Sequence, residues 1–460
     1  MDKEFGWTNV QGSLYPDDLP NGTLFRTGPN PHNLDAINAK EYHFFVGDGM
    51  VHAFKFNKKH VSYSNKFVRT GAFLLDKPEQ GLGNTAVVYH NGSLYACDEG
   101  SMPYQISPKS LDTIKQQDFN GRLQHNFSAH PKVCPRTREM HWIGYGEHSV
   151  QGSDAYTHYS VVNARGTLVK TIPLHFRKPT PLIHDMAITK NHAIFMDFPL
   201  YDMTKKIRVE DKTMFGILPR SATDESDIVW IESDGMYGYH VANAWEQYDE
   251  KLGATIIDIF MVTSKEFHFQ RSNASSLQLR HFRFNVDTAT QLLCKVVSAV
   301  PCDFPVIDNR KVSMPTRYIY ASRLAKRIPI PLAIDGLIRY DVATGETIEI
   351  DFPDGVCGGE AQFVPRTLPN STMLSGVDGD GYLLVLRYNE TSDESELAIY
   401  DAQSMSSVPR SLIKLPHRIP YGFHAMWTYD ENELHYTAAS EQSNNVCKKP
   451  LRTSFSRSKM

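Results

Sequence analysis

Several features that mark other classes of protein are missing from this 460-residue sequence. No run of about 18 apolar residues occurs, and the N-terminus MDKEFGWTNVQGSLYPDD has no basic region followed by an apolar one, which argues against a membrane span and a secretion signal. The six cysteines are scattered without a C-x-x-C pair, so neither a thiolate zinc site nor a disulfide framework is expected. These absences predict an intracellular, soluble chain with a cytoplasmic location.

A strong charge bias and linker-like composition are also missing. The net charge is only −4, so nothing draws the chain toward nucleic acid, and a neutral or apolar partner is expected. No Pro/Gly/Ser-rich linker or low-complexity tract divides the sequence, and 41% hydrophobic residues suffice for a large core. We therefore expect a single domain over residues 1–440 and a polar, basic, disordered tail over residues 441–460.

The last three residues of the tail, Ser458, Lys459 and Met460, resemble a targeting signal. They differ from the peroxisomal address S-K-L only by one apolar side chain of similar volume. Peroxisomal import is thus the alternative to a cytoplasmic location, and a chance match on a solvated tail stays open.

Short β-type runs such as SLYACDE, ATIIDIFMV and GYLLVLRY fill the chain. A unit also recurs in which one strand ends at Asp, Asn or Ser, turns through small or polar residues and resumes as a second strand, as in VVNARGTLVKTI and YDVATGETIEI. Its spacing is roughly 55–60 residues, with a gap of about twice that in the middle of the chain. Because this length would hold about seven four-stranded blades, the sequence predicts an all-β, seven-bladed β-propeller, with an array of β-sandwiches as the alternative.

Four of the 19 histidines lie at strand boundaries between apolar residues. They are His130 in NFSAHPKVCP, His184 in PLIHDMAIT, His240 in MYGYHVANAWE and His424 in RIPYGFHAMWTYD. Taken singly, each could be a core histidine bonded to nearby carbonyls. Since the blades of a propeller converge on its axis, the four could instead share one metal ion.

Together with LPNGTLFRTGPNP, YHFFVGDGMVHAF and GGEAQFVPR, the four histidine motifs make the sequence resemble the carotenoid cleavage oxygenase family over almost its whole length. The resemblance implies a seven-bladed propeller with a helical cap and an Fe(II) ion held by His130, His184, His240 and His424. It also implies oxidative cleavage of a carbon–carbon double bond by O2 to give two carbonyl products. The partners would be O2 and an apolar polyene.

The resemblance assigns further residues around the metal. Members of the family use three glutamates to accept hydrogen bonds from ligand rings; two match Glu99 and Glu360, and the third position is occupied by Asp303, which is one methylene shorter. Thr85 matches a threonine beside the metal. Without the resemblance, the two glutamates would be interpreted as solvated loop carboxylates and Thr85 as an ordinary turn residue.

Substrate choice rests on two departures from one branch of the family. Members that cleave hydroxylated stilbenes carry a lysine and a tyrosine that bind the phenol, and the matching residues here are Asp98 and Phe73. Since neither a cation nor a hydroxyl is present, we predict a carotenoid or apocarotenoid substrate, with stilbene cleavage as the alternative. A propeller that acts only as an interaction scaffold has no reason to assemble four histidines and two glutamates.

One segment, FPLYDMTKKIRV at residues 198–209, mixes apolar and basic side chains. This composition suits a peripheral contact with a membrane surface, through which a lipid-dissolved substrate would enter, and equally suits an ordinary surface loop.

Overall fold

The computed structural model describes most of the chain: residues 3–10, 15–32, 45, 47–75, 81–146, 155–176, 182–200, 207–208, 210–266, 276–325 and 333–430. Within these ranges the only α-helix is α1 (Gly71–Leu75). Two 3-10 turns cover Glu225–Asp227 and Asn309–Lys311. The tail at 441–460 and its terminal tripeptide lie outside the described residues, and so does the predicted domain boundary at residue 440.

Seven antiparallel sheets make up the described part of the chain, and we number them as blades in chain order. Blade 1 contains β1 (Phe5–Asn9), β2 (Gly22–Pro29), β3 (Gly49–Asn57), β4 (His60–Phe67) and the last strand, β29 (Ala425–Tyr429). Blade 2 contains β5 (Ala86–His90), β6 (Ser93–Cys97), β7 (Tyr104–Ile106) and β8 (Thr113–Gln116). Blade 3 contains β9 (Lys132–Val133), β10 (Met140–Tyr145), β11 (Thr157–Val162) and β12 (Leu168–Leu174).

The other four blades follow the same four-stranded plan. Blade 4 contains β13 (Ala187–Ile188), β14 (His192–Asp197), β15 (Thr213–Pro219) and β16 (Val229–Ser233). Blade 5 contains β17 (Tyr237–Asp249), β18 (Ala254–Ser264), β19 (Gln278–Asn285) and β20 (Thr290–Val296). Blade 6 contains β21 (Cys302–Val306), β22 (Tyr318–Leu324), β23 (Ile334–Asp341) and β24 (Thr347–Asp351). Blade 7 contains β25 (Val356–Pro365), β26 (Gly381–Asn389), β27 (Glu394–Asp401) and β28 (Ser411–Lys414).

The recurring strand-turn-strand unit is the outer hairpin of a blade. VVNARGTLVKTI forms β11 and β12, and YDVATGETIEI forms β23 and β24. Their turns contain Gly166 at φ +77° and Gly345 at φ +78°, a left-handed conformation that glycine adopts without a steric cost. In blade 4 the last two strands are instead joined by residues 220–228, which include a 3-10 turn, and this accounts for the doubled spacing in the middle of the chain.

The ring of blades is closed within blade 1, where the two ends of the described chain pair. Strand β29 runs antiparallel to β2, with Tyr429 opposite Gly22 and Ala425 opposite Arg26. The end strands on the inner side of neighbouring blades contact one another, namely β13 with β17, β17 with β21, β21 with β25, β25 with β29 and β29 with β5. These strands therefore line the axis, and the radial arrangement covers their edges. The prediction of an all-β, seven-bladed propeller is confirmed, and the sandwich array is wrong.

Apolar side chains pack between blades and cover both faces of many strands. In β18, ten of the eleven residues are buried, because one face packs toward blade 4 and the other toward blade 6. Continuous apolar runs rather than strict alternation are the expected pattern for strands buried on both faces.

Membrane contact through residues 198–209 is still a prediction. Phe198, Leu200 and Ile207 are buried in the apolar cluster that joins blades 4 and 5. Residues 201–206 and 209 lie outside the described residues. Among the helices that the structure describes, none combines the length and apolar character needed to span a membrane.

Candidate metal centre

Four histidine rings, each from a different blade, meet where the first strands converge. His130 and His184 come just before the short strands β9 and β13, His240 lies within β17, and His424 immediately precedes β29. One ring nitrogen of each lies within 4.8 Å of those of the other three, an arrangement that could hold a metal ion. The structure thus brings together the four histidines that the sequence analysis singled out.

The distances between ring nitrogens fit ligands of one ion. The Nε2 atom of His184 is 3.0 Å from that of His130 and 2.9 Å from that of His240. Metal–nitrogen bonds of about 2.0–2.1 Å place two ligand atoms about 3.0 Å apart when they meet at a right angle, and about 3.4 Å apart in a tetrahedron. The observed separations therefore match neighbouring ligands at right angles around a common centre.

Three carboxylates fix the tautomers of three of the rings. Each accepts a hydrogen bond from Nδ1: Glu99 from His184 at 2.5 Å, Asp303 from His240 at 2.6 Å and Glu360 from His424 at 3.0 Å. With the proton on Nδ1, the Nε2 atom of each ring is unprotonated and carries a lone pair that can bind a metal. The facing Nε2 atoms of His184 and His240 are then two acceptors at 2.9 Å, which repel each other unless a cation lies between them. The donor set therefore fits a divalent metal.

Irregularities of the strands accompany three of these side chains. The strand register shifts around His240 in β17, after Asp303 in β21 and around Glu360 in β25. Such bulges turn a side chain away from its regular direction and are frequent beside active sites. In β21, Phe304 adopts φ +53°, a left-handed conformation that is uncommon for a bulky residue. Asp303 thereby reaches His240 at 2.6 Å although it is shorter than the glutamate that the family resemblance leads one to expect.

Two neighbours of the cluster were missed by sequence reasoning. The Tyr145 hydroxyl donates a hydrogen bond to the second carboxylate oxygen of Glu99 at 2.9 Å. The Phe304 ring stacks on His240 at 5.1 Å between centroids and packs against His424 at 5.3 Å. Nothing in the sequence distinguishes Tyr145 from the other tyrosines, whereas Phe304 could have been found from its place beside Asp303.

The electrostatic environment favours neutral rings in two of the histidines. Burial, reinforced by the other three histidines, lowers the pKa of His130 well below its ordinary value. Burial also lowers the pKa of His240, although Asp303 opposes the shift. In His184, burial lowers the pKa but the carboxylates of Glu99, Asp185 and Asp303 together outweigh it, and the net shift of the pKa is upward. Metal binding requires the neutral ring, so the lowered pKa values of His130 and His240 suit ligation at neutral pH.

Thr85 lies beside the fourth histidine. Its carbonyl accepts a hydrogen bond from the His424 backbone N–H at 3.3 Å, and its hydroxyl donates to the side chain of Asn84 at 3.0 Å. This contact joins blade 2 to the closing strand of blade 1. Whether the Thr85 methyl crowds a metal position stays a prediction.

The two residues predicted to line the substrate site have other partners in the structure. Asp98 accepts hydrogen bonds from four donors, namely the backbone N–H groups of Leu82, Gly83 and Gly100 and the hydroxyl of Ser101. Phe73 is half-buried in α1, where the Arg69 guanidinium lies 4.4 Å from its ring centroid and His32 packs against it. Their place along the substrate path stays a prediction.

Known proteins resemble the chain over nearly all of its length. The family model described as retinal pigment epithelial membrane protein matches residues 3–429. Carotenoid 9,10(9',10')-cleavage dioxygenase 1 of Pisum sativum is 32% identical and is matched over 92% of this chain and 86% of its own. Among solved structures, cobalt-substituted Synechocystis apocarotenoid oxygenase has 25% identity, a TM-score of 0.76 and coverage of 94% of this chain and 97% of its own. The lignostilbene dioxygenase of Pseudomonas brassicacearum shares the fold, with a TM-score of 0.80, 21% identity and coverage of 94% and 96%.

These similarities confirm the enzyme class predicted from the sequence, an oxygen-incorporating oxidoreductase. The family is metal-dependent, in agreement with the four clustered histidines. The chain belongs to the carotenoid cleavage oxygenase family, whose model bears the description retinal pigment epithelial membrane protein.

Proposed function

We propose that this protein is a non-heme iron dioxygenase that cleaves a carbon–carbon double bond of a carotenoid or apocarotenoid with O2, giving two carbonyl products. The observation that carries the proposal is the set of imidazole Nε2 atoms directed at one centre, with a carboxylate behind three of the four rings. Such carboxylate–histidine pairs are typical of metal ligands.

His130, His184, His240 and His424 would hold the ion through Nε2. The bound iron would supply the oxygen chemistry that no protein side chain provides. Imidazole also suits zinc, copper and nickel, so the choice of iron is supported by the family resemblance rather than by the ligand atoms.

The surrounding residues keep the ligands in their binding form. Glu99, Asp303 and Glu360 hold the proton at Nδ1, which fixes the orientation of each ring and leaves the Nε2 lone pair for the metal. A second donor holds each glutamate: Tyr145 for Glu99 and the backbone N–H of Ala425 for Glu360. The Phe304 ring packs against two of the histidines and so covers part of the site.

Two residues support a polyene substrate over a phenolic stilbene. The four donors that surround Asp98 use its carboxylate, which in any case has the wrong charge to stabilise a phenolate. Phe73 offers no hydroxyl. The names of the curated plant relatives make the 9,10 (9',10') double bond the first bond to test.

The proposal is tested with iron-loaded protein and a panel of carotenoids, apocarotenals and 4-hydroxystilbenes, under air and under argon, with products identified by mass. We expect aldehyde or ketone fragments from a polyene, in air only, and none from metal-free protein. Faster turnover of a 4-hydroxystilbene than of every polyene would make the protein a stilbene cleavage enzyme. No O2-dependent cleavage of any compound would refute the proposal.

A further inference from the structure

Asp185 follows the ligand His184, and its carboxylate is bound by an ammonium and two backbone N–H groups rather than by an imidazole. Its side chain is only 1% exposed. The Lys132 ammonium lies 2.7 Å from Oδ1 and 3.0 Å from Oδ2. The backbone N–H of Met186 donates to Oδ1 at 2.7 Å, and that of Val241 donates to Oδ2 at 2.7 Å. Both oxygens of this buried carboxylate therefore have two donors each.

The partners of Asp185 belong to the segments that carry three different histidines. Lys132 lies two residues after His130 at the start of blade 3, and Val241 directly follows His240 in blade 5. Asp185 itself directly follows His184 and precedes blade 4. One side chain thus ties together the backbones that present three of the four rings.

The contact to blade 5 lies at an irregularity of the sheet. Strand β17 shifts register against β18 on both sides of Val241, so the strand is irregular where it presents His240. The backbone N–H of Val241 donates to Asp185. A buried charge is costly unless it is paired and hydrogen-bonded, so this arrangement is stable only when all three segments are in place.

We infer that Asp185, together with Lys132, is a positioning residue that preforms the histidine cluster before the metal binds. It differs from Glu99, Asp303 and Glu360, because those side chains contact imidazole Nδ1 whereas Asp185 contacts backbone and an ammonium. Removing its charge would let the three segments separate while His184 and His240 keep their own carboxylate acceptors. The inference rests on the proposed function, since it concerns the same metal site.

Asp258 provides a matched control. It is also 1% exposed and lies in blade 5, where it accepts hydrogen bonds from His281 at 2.6 Å and from Arg283 at 2.8 and 3.1 Å. Those partners are on β19, away from the four histidines. Asp185→Asn and Asp258→Asn therefore remove the same kind of buried charge, but only the first lies at the cluster.

Two measurements test the inference. The first is hydrogen exchange of the Val241 amide in metal-free protein, which we expect to accelerate at least about tenfold in Asp185→Asn and to stay at the wild-type rate in Asp258→Asn. The second is Co(II) titration, with the visible spectrum as a report on ligand geometry. We expect about 10- to 100-fold weaker binding and a changed spectrum in Asp185→Asn only. Lys132→Gln, at a partly exposed position, should weaken Co(II) binding less and serves if Asp185→Asn does not fold.

The inference would be overturned if Asp185→Asn kept both the wild-type exchange rate of the Val241 amide and the wild-type affinity for Co(II). Where Asp185→Asn does not fold, the same result in Lys132→Gln would overturn it. Equal losses in Asp258→Asn would also overturn it, because they would reduce the effect to general destabilisation. A wild-type protein that binds no Co(II) would contradict the proposed function instead, and the exchange rates would still decide whether Asp185 organises the three segments.

Discussion

Replacing Asp303 with asparagine removes the negative charge that faces His240 while keeping the side-chain volume nearly constant. Asp303 is 2% exposed and accepts from His240 Nδ1 at 2.6 Å. A hydrogen bond to a charged group contributes about 1.5–3 kcal/mol and a neutral one about 0.5–1.5 kcal/mol. The difference of roughly 1–1.5 kcal/mol predicts about tenfold weaker metal binding in Asp303→Asn, since 1.4 kcal/mol corresponds to a factor of ten.

Asp303→Ala should weaken metal binding more than Asp303→Asn does, because it leaves the His240 Nδ1–H buried without an acceptor. Loss of such a partner lies at the upper end of the 10- to 100-fold range, so about 100-fold weaker binding is expected. Without metal, by contrast, Asp303→Asn should unfold at the same or a higher temperature, because it no longer buries a carboxylate. The expected signature is weaker metal binding without loss of metal-free stability.

The assay is competition for Co(II) against a coloured chelator, combined with thermal unfolding of the metal-free protein. Glu246→Gln is the matched control, because Glu246 accepts from His192 Nδ1 at 2.7 Å in an equivalent buried pair further along β17. Glu246→Gln should change the unfolding temperature of the metal-free protein but leave its affinity for Co(II) unaltered. Asp303→Asn that binds metal as tightly as wild type, or Glu246→Gln that binds it as weakly as Asp303→Asn, would show that the Asp303 charge does not support metal binding.

Three further predictions follow from the site and its surroundings. Asp303→Glu should lower stability by about 1–3 kcal/mol rather than restore an ideal site, because an extra methylene overpacks the bulged strand; unfolding in denaturant checks this, and an unchanged midpoint would contradict it. Phe73→Tyr supplies a hydroxyl and should raise the turnover of 4-hydroxystilbene relative to that of a polyene; an unchanged ratio would remove Phe73 from the substrate path. Burial lowers the pKa of His125 to about 4 from an ordinary value of 6.5, so as pH falls from 6.5 to 4 the unfolded chain takes a proton that the folded chain refuses, and stability is lost. His125→Asn should reduce this loss of stability between pH 6.5 and 4, as measured by unfolding in denaturant. An unaltered pH dependence of the free energy of unfolding would show that His125 does not cause the loss.

The sequence predicted the parts of the molecule that have a local signature. Apolar runs ending in turn residues correspond to strands of the blades. Apolar neighbours in the sequence likewise indicated that His184 and His424 belong to the cluster. Glu99 and Glu360 followed from the family resemblance, and the structure pairs them with His184 and His424.

The remaining features depend on contacts between distant segments, which no local pattern records. Asp185 joins three blades through backbone N–H groups and an ammonium, and the bulges of β17, β21 and β25 arise from register shifts. An apolar run is also ambiguous: Phe198 and Leu200 suggested a membrane-facing patch, but they are buried between blades, because core and interface select the same side chains.

We propose that activity depends on a metal ion bound by the four-histidine cluster. The most direct measurement is the metal-to-protein ratio, determined by elemental analysis after Fe(II) loading and desalting, for wild type, His240→Ala and the control His281→Ala. His281 is also a histidine paired with a buried carboxylate in blade 5, but it lies outside the cluster. We expect about one iron per chain in wild type and in His281→Ala, and none in His240→Ala, with polyene cleavage only in the variants that hold iron. Full iron content and full turnover in His240→Ala would contradict it.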